Sequence, residues 1–305
     1  MEKIIITGGS GFIGSHLMQR LEGNQITSLD RSNAHGSQKG VNYAKCDVLE
    51  PKRLEKFTKG ADAIIHLAAL RSIKDSVEMP LEYNKVNIDG AVNVLEAARK
   101  NDVRKFVFAS SSAVYGSNYS LPQKEGSLAV PSNPYGLSKL AGENYCRIYS
   151  ENYGIEAVSL RMFNVYGPGQ DPKAGVAAAF AYAAAKNTRP ILYGSGKQAR
   201  DFVYIEDVAQ AFSLALKNSK KAKGLSINIG GGKSSTVNQI LEIAQQLAEK
   251  KLDPEKKQIF LGDVRETLAD ISLAKKSIGW TPKTGLEEGM KKTFDFYRGA
   301  ISVGK

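Results

Sequence analysis

The sequence predicts an α/β fold, in which a doubly wound parallel sheet is followed by a smaller mixed α/β unit. Three observations support this. Short apolar runs alternate with longer amphipathic stretches through the first half of the chain. A glycine-rich segment directly follows the first apolar run. After about residue 165 the alternation gives way to shorter strands mixed with helices. A chain of 305 residues is long enough to bury a substantial core around such a sheet.

The elements of the first half follow from these runs. We predict strands at residues 4–7, 25–29, 63–67, 106–109 and 157–160. Helical patterns lie between them, at residues 13–21, 86–100 and 135–153. Strands that alternate with helices imply right-handed crossovers and hence a parallel sheet with helices on both faces. Ligands of such sheets bind beyond the carboxyl ends of the strands.

The second half begins at a loop signal, the segment GPGQDP at residues 167–172. Beyond it we predict helices and short strands, with helices at 176–186, 206–216, 237–250 and 286–297 and strands at 190–193 and 225–229. The helix at 206–216 is expected to return to the first sheet. We therefore predict a first domain of residues 1–165 with a return segment near 200–220, and a second domain of residues 166–305.

Composition excludes several classes of protein. Two cysteines among 305 residues do not form a disulfide framework and suit a reducing compartment. The longest apolar stretch, 174–185, is shorter than the roughly 20 residues that span a bilayer. With no room for a signal peptide before the first strand, we expect a cytoplasmic protein. The net charge of +11 comes largely from lysines at 217–223 and 250–257, which have no interleaved aromatic residues. We therefore expect no nucleic-acid, membrane or metal partner.

The glycine-rich segment predicts a dinucleotide site. Gly8, Gly11 and Gly14 lie between the first strand and the first helix, where backbone N–H groups and a helix N-terminus can approach a pyrophosphate. Taken alone, the segment is also typical of an ordinary strand–helix turn. Asp30 ends the second strand, where a carboxylate can bind the ribose hydroxyls of NAD and repel the additional phosphate of NADP. Although Arg31 is adjacent, we predict NAD.

Asp47 and Val48 follow a further short strand, which lies between those at 25–29 and 63–67, at a position suited to contacting the adenine. An alternative is that Asp47 only caps a surface turn. These two interpretations remain open at the level of the sequence.

A second motif predicts acid–base chemistry. Tyr135 and Lys139 lie four residues apart on the predicted helix and therefore share one face. The positive charge of Lys139 favours the phenolate form of a tyrosine, whose ordinary pKa is near 10. The strand at 106–109 runs into Ser111 and Ser112, which can hydrogen-bond a substrate oxygen at the same edge of the sheet. A serine-rich turn that satisfies its own backbone is the alternative.

Together these motifs resemble the extended short-chain dehydrogenase/reductase family, and within it most closely the nucleotide-sugar 4-epimerases of the UDP-galactose 4-epimerase type. The resemblance runs nearly end to end and is carried by TGGSGFIG at 7–14, HLAA at 66–69, Tyr135 with Lys139, RMFN at 161–164, RDFVY at 200–204 and GDVR at 262–265. It implies a Rossmann fold that binds NAD, followed by a nucleotide-sugar-binding domain.

The resemblance also implies roles for individual residues. Tyr135 would be the acid–base group, and Lys139 would bind the nicotinamide ribose and lower the tyrosine pKa. Ser111 would be the catalytic hydroxyl with Ser112 assisting, although a second alignment exchanges the two. The implied cofactor-binding residues also include Gly8, Gly11, Phe12, Ile13, Gly14, Asp30, Asp47, Val48, Leu67, Ala68, Ala69 and Asn87. The implied substrate-binding residues are Arg71, Asn164, Tyr193, Arg200, Asp263, Arg265 and Thr267.

Within the family, the strand that carries the serines narrows the reaction. Dehydratases carry an Asp-Glu pair where this chain has Ser112 and Ala113, and decarboxylases usually have Thr-Ser-Glu in this strand. The resemblance therefore implies 4-epimerisation of a UDP-sugar through a 4-keto intermediate, with tightly bound NAD regenerated in each cycle. It also implies a homodimer formed through the helices at 86–100 and 135–153. The alternatives are a nucleotide-sugar decarboxylase, a 4-keto reductase and a non-enzymatic NAD-binding regulator.

Two positions depart from the family pattern or refine it. Phe260 stands where the family usually has a phosphate-binding arginine, so we expect Arg265 to substitute or the nucleotide to sit differently. Thr267 stands where epimerases restricted to glucose and galactose often have a tyrosine. The smaller residue predicts that a 2-acetamido sugar is also accepted.

Overall fold

The computed structural model describes residues 1–32, 38–116, 120–258 and 264–303. Its strands are β1 (Lys3–Thr7), β2 (Gln25–Asp30), β3 (Val41–Lys45), β4 (Ala63–His66), β5 (Lys105–Ser111), β6 (Glu156–Met162), β7 (Asn164–Tyr166), β8 (Ile191–Tyr193), β9 (Ala199–Tyr204), β10 (Ser226–Ile229), β11 (Ser234–Thr236) and β12 (Glu255–Lys257).

The helices are α1 (Phe12–Arg20), α2 (Pro51–Thr58), α3 (Ile73–Glu78), α4 (Pro80–Asn84), α5 (Gly90–Lys100), α6 (Pro134–Tyr153), α7 (Val176–Lys186), α8 (Ile205–Lys217), α9 (Val237–Leu247), α10 (Ser272–Ile278) and α11 (Leu286–Val303). A π-helical turn, Lys85–Asp89, joins α4 to α5, and a 3₁₀ turn, Ser112–Tyr115, follows β5. In the described part of the chain, no helix is long and apolar enough to cross a membrane.

The main sheet of the described residues has seven strands in the order β3-β2-β1-β4-β5-β6-β10, and all its pairings are parallel. Helices α1 and α8 pack on one face, where Leu17 and Phe212 are buried in one core. Helices α5 and α6 cover the other face, with Leu95 and Cys146 in a second core. The predicted doubly wound parallel sheet is therefore confirmed.

The first strand shows why its sequence is apolar without alternation. Ile4 and Ile6 point into the core beneath α1 and α8, whereas Ile5 points into the core beneath α5 and α6. All three are fully buried, since both faces of a parallel sheet are covered by helices.

The second half of the chain builds a smaller mixed unit. In it β9 pairs in parallel with β7 and antiparallel with β11, while β8 and β12 form a separate parallel pair. Helices α7, α9 and α11 pack on one another around a third core that contains Phe180, Ile240 and Met290. This unit faces the carboxyl ends of the main sheet and closes one side of the cleft described below.

The chain returns to the main sheet more than once. Helix α8 packs against α1, as expected for the return segment, but β10 also joins the sheet beside β6. Trp280 and Ile278, just after and within α10, are buried in the same core as α8. The division at residues 165 and 166 stays a prediction, and these later contacts with the first sheet lie outside the segment near 200–220. Local patterns predict a strand at 225–229 but not which sheet it joins.

Candidate active site

A single large cleft gathers most of the predicted site residues. Its volume is about 1070 Å³, and it lies at the carboxyl ends of the central strands, between the two units. The predicted residues on its wall are Gly8, Gly11, Phe12, Ile13, Gly14, Asp30, Asp47, Val48, Leu67, Ala68, Ala69, Arg71, Ser111, Ser112, Tyr135, Lys139, Asn164, Tyr193, Arg200 and Thr267. Asn87 and Arg265 lie elsewhere, while Phe260 and Asp263 lie outside the described residues.

The glycine loop is packed too closely for side chains. A Cβ on Gly14 would lie 2.2 Å from the carbonyl oxygen of Gly9, and one on Gly8 would lie 2.7 Å from the backbone nitrogen of Ala68. Gly8 also has φ +72°, a left-handed conformation that glycine adopts without strain. Gly11 is the N-cap of α1 and supplies no side-chain cap, so the first turn of the helix presents backbone N–H groups. This cradle suits a pyrophosphate.

Asp30 lies at the end of β2 on the same wall. Its Oδ2 accepts hydrogen bonds from the Ser10 hydroxyl at 3.0 Å, the Ser10 backbone N–H at 3.2 Å and the Ser28 hydroxyl at 2.9 Å. The carboxylate is thereby fixed against the glycine loop. A carboxylate held at this edge can accept hydrogen bonds from the hydroxyls of an adenosine ribose.

Asp47 and Val48 follow β3 and line the cleft. The Asp47 carboxylate accepts the Leu49 backbone N–H at 2.9 Å, and the Asp47 backbone N–H donates to Glu50 at 2.9 Å. Asp47 therefore shapes a turn at the start of α2 and also lines the cleft. The capping alternative is therefore compatible with a position on the cleft wall, and the contact of Asp47 with the adenine stays a prediction.

The loop after β4 forms the floor of the cleft and is fixed from behind. Asn87 is buried in the π-helical turn, where its amide nitrogen donates to the Leu70 carbonyl at 2.9 Å and its oxygen accepts the Leu70 N–H at 2.8 Å. The same nitrogen contacts the Ser138 hydroxyl at 3.0 Å. Asn87 thus holds the loop that carries Ala68, Ala69 and Arg71, from behind the cleft wall. Its predicted direct contact with the cofactor stays a prediction.

Tyr135 and Ser111 meet at the centre of the cleft. Tyr135 lies in the first turn of α6, which is capped by Asn133 through a 2.8 Å bond from the Gly136 N–H. Burial raises the Tyr135 pKa, while a side-chain hydrogen bond with Ser111 and the positive charge of Arg71 lower it. These are the two residues to which the resemblance assigns the acid–base and hydroxyl roles, and both roles stay predictions.

The two serines have different surroundings. Ser111 ends β5, bonds Tyr135 and accepts the Ala113 backbone N–H at 3.2 Å. Ser112 begins the 3₁₀ turn and also lines the cleft. Of the two serines, Ser111 is therefore the one that contacts Tyr135, and which of them is the main catalytic hydroxyl stays a prediction.

Lys139 is buried one turn along α6. Its Nζ donates to the Ala109 carbonyl at 2.8 Å and lies 6.0 Å from the centre of the Tyr135 ring. Burial lowers the Lys139 pKa to about 8, and the charges of Cys146 and Glu143 oppose that shift. The effect of Lys139 on Tyr135 in the cofactor complex stays a prediction, because Ser111 and Arg71 supply the lowering contributions here.

Two of the predicted substrate-binding residues, Asn164 and Thr267, lie together on the cleft wall. The Asn164 amide nitrogen donates to the Asp201 carbonyl at 3.0 Å and to the Thr267 hydroxyl at 3.4 Å. The Thr267 hydroxyl also accepts the Asp201 backbone N–H at 3.1 Å. Thr267 is 8% exposed, so its small side chain is fixed on the wall.

The two predicted phosphate-binding arginines are placed differently. Arg200 lines the cleft, and its Nη1 donates to the carbonyl oxygens of Ala199 at 2.8 Å and Arg265 at 3.4 Å. Arg265 is exposed and lies off the described cleft wall, so its expected substitution for the missing arginine stays a prediction. Tyr193, at the end of β8, lines the far end of the cleft.

A buried ion pair near Tyr135 and Lys139 was not predicted. Arg161 bonds the Glu143 carboxylate through Nε at 2.9 Å and Nη2 at 2.7 Å, and both side chains are almost fully buried. Glu143 lies four residues after Lys139 on α6, so the helical spacing could have indicated a shared face. Arg161 begins the RMFN segment, and only the fold brings it to Glu143.

Comparisons with known proteins identify the family. Residues 4–230 match the model of the NAD dependent epimerase/dehydratase family. The chain belongs to this family. A putative UDP-glucose 4-epimerase from Methanocaldococcus jannaschii is 38% identical over 97% of this chain and 98% of its own length. A UDP-glucuronate 4-epimerase from Thermodesulfobacterium geofontis is 32% identical over 99% of this chain and 98% of its own length.

Solved structures agree with the fold and the family. The crystal structure of Thermotoga maritima UDP-glucose 4-epimerase with UDP-glucose matches with a TM-score of 0.93 and 33% identity, over 98% of this chain and 99% of that one. A UDP-N-acetylglucosamine 4-epimerase from Methanobrevibacter ruminantium M1, in complex with UDP-N-acetylmuramic acid, matches with a TM-score of 0.91 and 35% identity over the same shares. The chain is therefore an NAD-dependent enzyme of the epimerase type.

The residues present fit NAD. The cradle around Gly8 and Gly14 has no space for a Cβ, and the first turn of α1 presents N–H groups. The Asp30 carboxylate, fixed beside this cradle, can accept hydrogen bonds from a ribose. Bound there, NAD supplies reversible oxidation of a substrate carbon next to Tyr135.

Proposed function

We propose that this chain interconverts the C4 epimers of UDP-sugars, UDP-glucose and UDP-galactose, and also their N-acetylhexosamine forms. The observation that carries the proposal is the hydrogen-bonded pair Tyr135 and Ser111, at the centre of one cleft that contains a dinucleotide cradle on one side and Asn164 on the other. That arrangement suits a sugar hydroxyl held between an acid–base group and the cofactor.

In this proposal the residues of the chain handle the proton. Tyr135 takes the proton from the C4 hydroxyl during oxidation and returns it during reduction. Ser111 bonds the same substrate oxygen and keeps it within reach of the phenol. Lys139 stabilises the phenolate by its charge. The 4-keto sugar must rotate in the cleft before reduction, so that its opposite face is reduced. The cleft volume of about 1070 Å³ accommodates such a rotation.

The 2-acetamido forms are included because of Thr267. The residue presents a small side chain on the cleft wall, and its hydroxyl is bonded to the Asp201 N–H and to Asn164. A larger side chain there would fill space next to the substrate. The similarity to both a UDP-glucose 4-epimerase and a UDP-N-acetylglucosamine 4-epimerase supports acceptance of both kinds of sugar.

A further part of the proposal concerns assembly and location. Two copies would pair through the predicted helices at 86–100 and 135–153, in the cytoplasm. Apolar side chains are exposed on α6 and on the neighbouring α4. Leu81 is 85% exposed, and Leu137 and Tyr153 are each more than half exposed. Exposed apolar patches of this kind are typical of protein interfaces. Sedimentation of the purified chain tests the dimer.

The test of the function is an incubation of the purified chain, without added NAD, with UDP-glucose, UDP-N-acetylglucosamine and UDP-glucuronate in separate reactions. NMR of the products should show the C4 epimers of the first two sugars. Conversion of UDP-glucuronate alone would contradict the proposed substrates, and release of carbon dioxide or net oxidation of NADH would identify a decarboxylase or a reductase. Absence of any conversion after addition of NAD would contradict the proposal as a whole.

A further inference from the structure

Three consecutive residues of β5 are each paired with one of three residues that are one helical turn apart on α6. The pairs are Ser111 with Tyr135, the Ala109 carbonyl with the Lys139 Nζ at 2.8 Å, and the Ser110 hydroxyl with the Glu143 carboxylate at 2.5 Å. We call these three pairs the β5–α6 ladder. Its first two pairs contain the proposed acid–base groups, whereas the third lies deeper in the protein.

The third pair is anchored by a buried ion pair. Arg161 on β6 binds Glu143 in a bidentate manner, and the side chains are 7% and 4% exposed. Arg161 also donates from Nη1 to the Tyr115 hydroxyl at 2.9 Å. A buried charge pair with this geometry fixes its partners, because moving either charge would leave the other uncompensated.

Close packing of α6 on β5 makes the ladder rigid. A Cβ on Gly142 would lie 2.4 Å from the Phe108 ring, so the helix touches the strand at this point. A Cβ on Gly136 would lie 2.5 Å from the Ala113 carbonyl at the other end of the contact. The register of α6 along β5 is therefore set by direct contact between the two elements.

Lys139 has few charged neighbours in this setting. On its own helix it faces Glu143, Cys146 and the Tyr135 ring, and from β4 it faces His66. The Phe108 ring of β5 lies 5.0 Å from Nζ. Among these neighbours, Glu143 is the one with a carboxylate. It lies four residues after Lys139 on the helix, so the two side chains are adjacent on one face.

We propose that Glu143 is a positioning residue of the epimerase: held by Arg161, its carboxylate keeps Lys139 in the ammonium form and holds α6 in the register at which Tyr135 meets Ser111. The inference rests on the proposed roles of Tyr135 and Lys139. Without the negative charge, burial would favour the neutral amine of Lys139 at the pH of catalysis. The ammonium charge that stabilises the phenolate would then be lost.

The test first measures the titration midpoint of Lys139 directly and then its effect on the pH dependence of kcat. The ¹³Cε signal of Lys139, assigned by its loss in Lys139→Met, is titrated in the holoenzyme and in Glu143→Gln. We expect the midpoint to fall by about one pH unit or more in the variant. The alkaline limb of the kcat profile should move to lower pH by the same amount. Glu143→Asp retains the charge, so its alkaline limb should stay near the wild-type position even where kcat falls.

A second variant protects the test from misfolding. Glu143→Gln leaves Arg161 uncompensated, whereas Glu143→Gln combined with Arg161→Met removes both charges and is expected to fold. The Lys139 midpoint should fall in this double variant as well. Glu96→Gln is the matched control, since Glu96 binds Arg99 at 2.9 Å and the Tyr149 hydroxyl of α6 but is not among the groups that face Lys139. Its Lys139 midpoint and kcat profile should match the wild type.

An unchanged Lys139 midpoint in every folded Glu143 variant would overturn the inference. A lowered midpoint together with an unchanged kcat profile would also overturn it, because the charge would then have no part in positioning for catalysis. If the wild type converts no UDP-sugar, the proposed function is contradicted. If the Lys139 midpoint nevertheless falls in Glu143→Gln, the control of Lys139 by Glu143 is still supported.

Discussion

The Asn164 side-chain amide lies 3.4 Å from the Thr267 hydroxyl, although the two residues are 103 positions apart in the sequence. The same hydroxyl accepts the Asp201 backbone N–H at 3.1 Å. Thr267 is thus attached to β9 and to the residue that starts β7, and it forms a fixed part of the cleft wall rather than a movable side chain.

Replacing Thr267 by tyrosine should exclude the larger sugars. A phenol cannot occupy the space of the threonine without extending into the cleft, so conversion of UDP-N-acetylglucosamine should fall about tenfold or more relative to UDP-glucose. The ratio of kcat/KM for the two sugars measures the effect. Thr267→Ser keeps the hydroxyl and the small volume and should leave the ratio near that of the wild type. An unchanged ratio in Thr267→Tyr would show that a different residue determines the preference between the two sugars.

Tyr135→Phe should abolish most of the activity. The phenol is the proposed acid–base group, and loss of such a group typically costs about 10²- to 10⁴-fold in rate. Epimerisation of UDP-glucose, followed by NMR, measures the loss. Tyr145→Phe removes a hydroxyl from the same helix at a partly exposed position and should retain wild-type activity. A Tyr135→Phe variant within threefold of wild type would refute the assignment.

Alanine variants of the two serines should differ in how much kcat they lose. Ser111 bonds Tyr135, so Ser111→Ala should lower kcat by about tenfold to a hundredfold, in the range of a lost hydrogen bond to a charged group. Ser112→Ala should have a smaller effect, because Ser112 starts the 3₁₀ turn beside the pair. Single-turnover kinetics under matched conditions compare them. A greater loss in Ser112→Ala would reverse the assignment of the main catalytic hydroxyl.

Asp30→Asn should weaken the binding of NAD and its discrimination from NADP. The carboxylate is fixed by Ser10 and Ser28, and its loss removes both a charged acceptor for ribose hydroxyls and a repulsive charge against a 2′-phosphate. We expect about a tenfold to hundredfold loss of NAD affinity. Calorimetric titration with each dinucleotide measures this. Asp62→Asn is the matched control, since the Asp62 carboxylate accepts the Lys3 backbone N–H at 2.7 Å, at the start of β1 and away from the cleft.

Acid should destabilise the fold through His66. Burial, and then the charge of Lys139, lowers the pKa of His66 to about 3 from its ordinary value of 6.5. Its Nδ1 lies 2.6 Å from the Thr7 hydroxyl. Because the folded pKa lies below the unfolded one, the stabilising contribution is fully present above pH 6.5 and is lost as pH falls towards 3.

Urea unfolding between pH 6 and pH 4 measures this contribution. The free energy of unfolding should fall more steeply in the wild type than in His66→Gln, by up to about 1.4 kcal/mol per pH unit. His16→Gln, a change on α1 at a half-buried histidine, should leave the wild-type slope intact. Equal slopes in the wild type and in His66→Gln would contradict a buried neutral His66.

Local patterns were sufficient for the cofactor loop and for β1, β2, β4, β5, β6, α1 and α6 of the first half, whereas helices α2, α3 and α4 were not predicted. The run Ile4–Ile6 and the spacing of Gly8, Gly11 and Gly14 depend on contacts within a few residues, and the structure has the predicted strand, turn and helix there. The same holds for Tyr135 and Lys139, because an interval of four residues fixes a shared helix face whatever surrounds it.

Contacts between distant segments could not be predicted in this way. No local signal indicates that Ser226–Ile229 joins β6, that Asn87 bonds the loop after β4, or that Arg161 contacts Glu143. These depend on which strands become neighbours and on how closely α6 approaches β5. Sequence by itself determined the chemical groups and their spacing along helices and strands, since that spacing follows from backbone geometry. Only the tertiary structure decided which groups meet and which are buried, because packing and desolvation arise when remote segments come together.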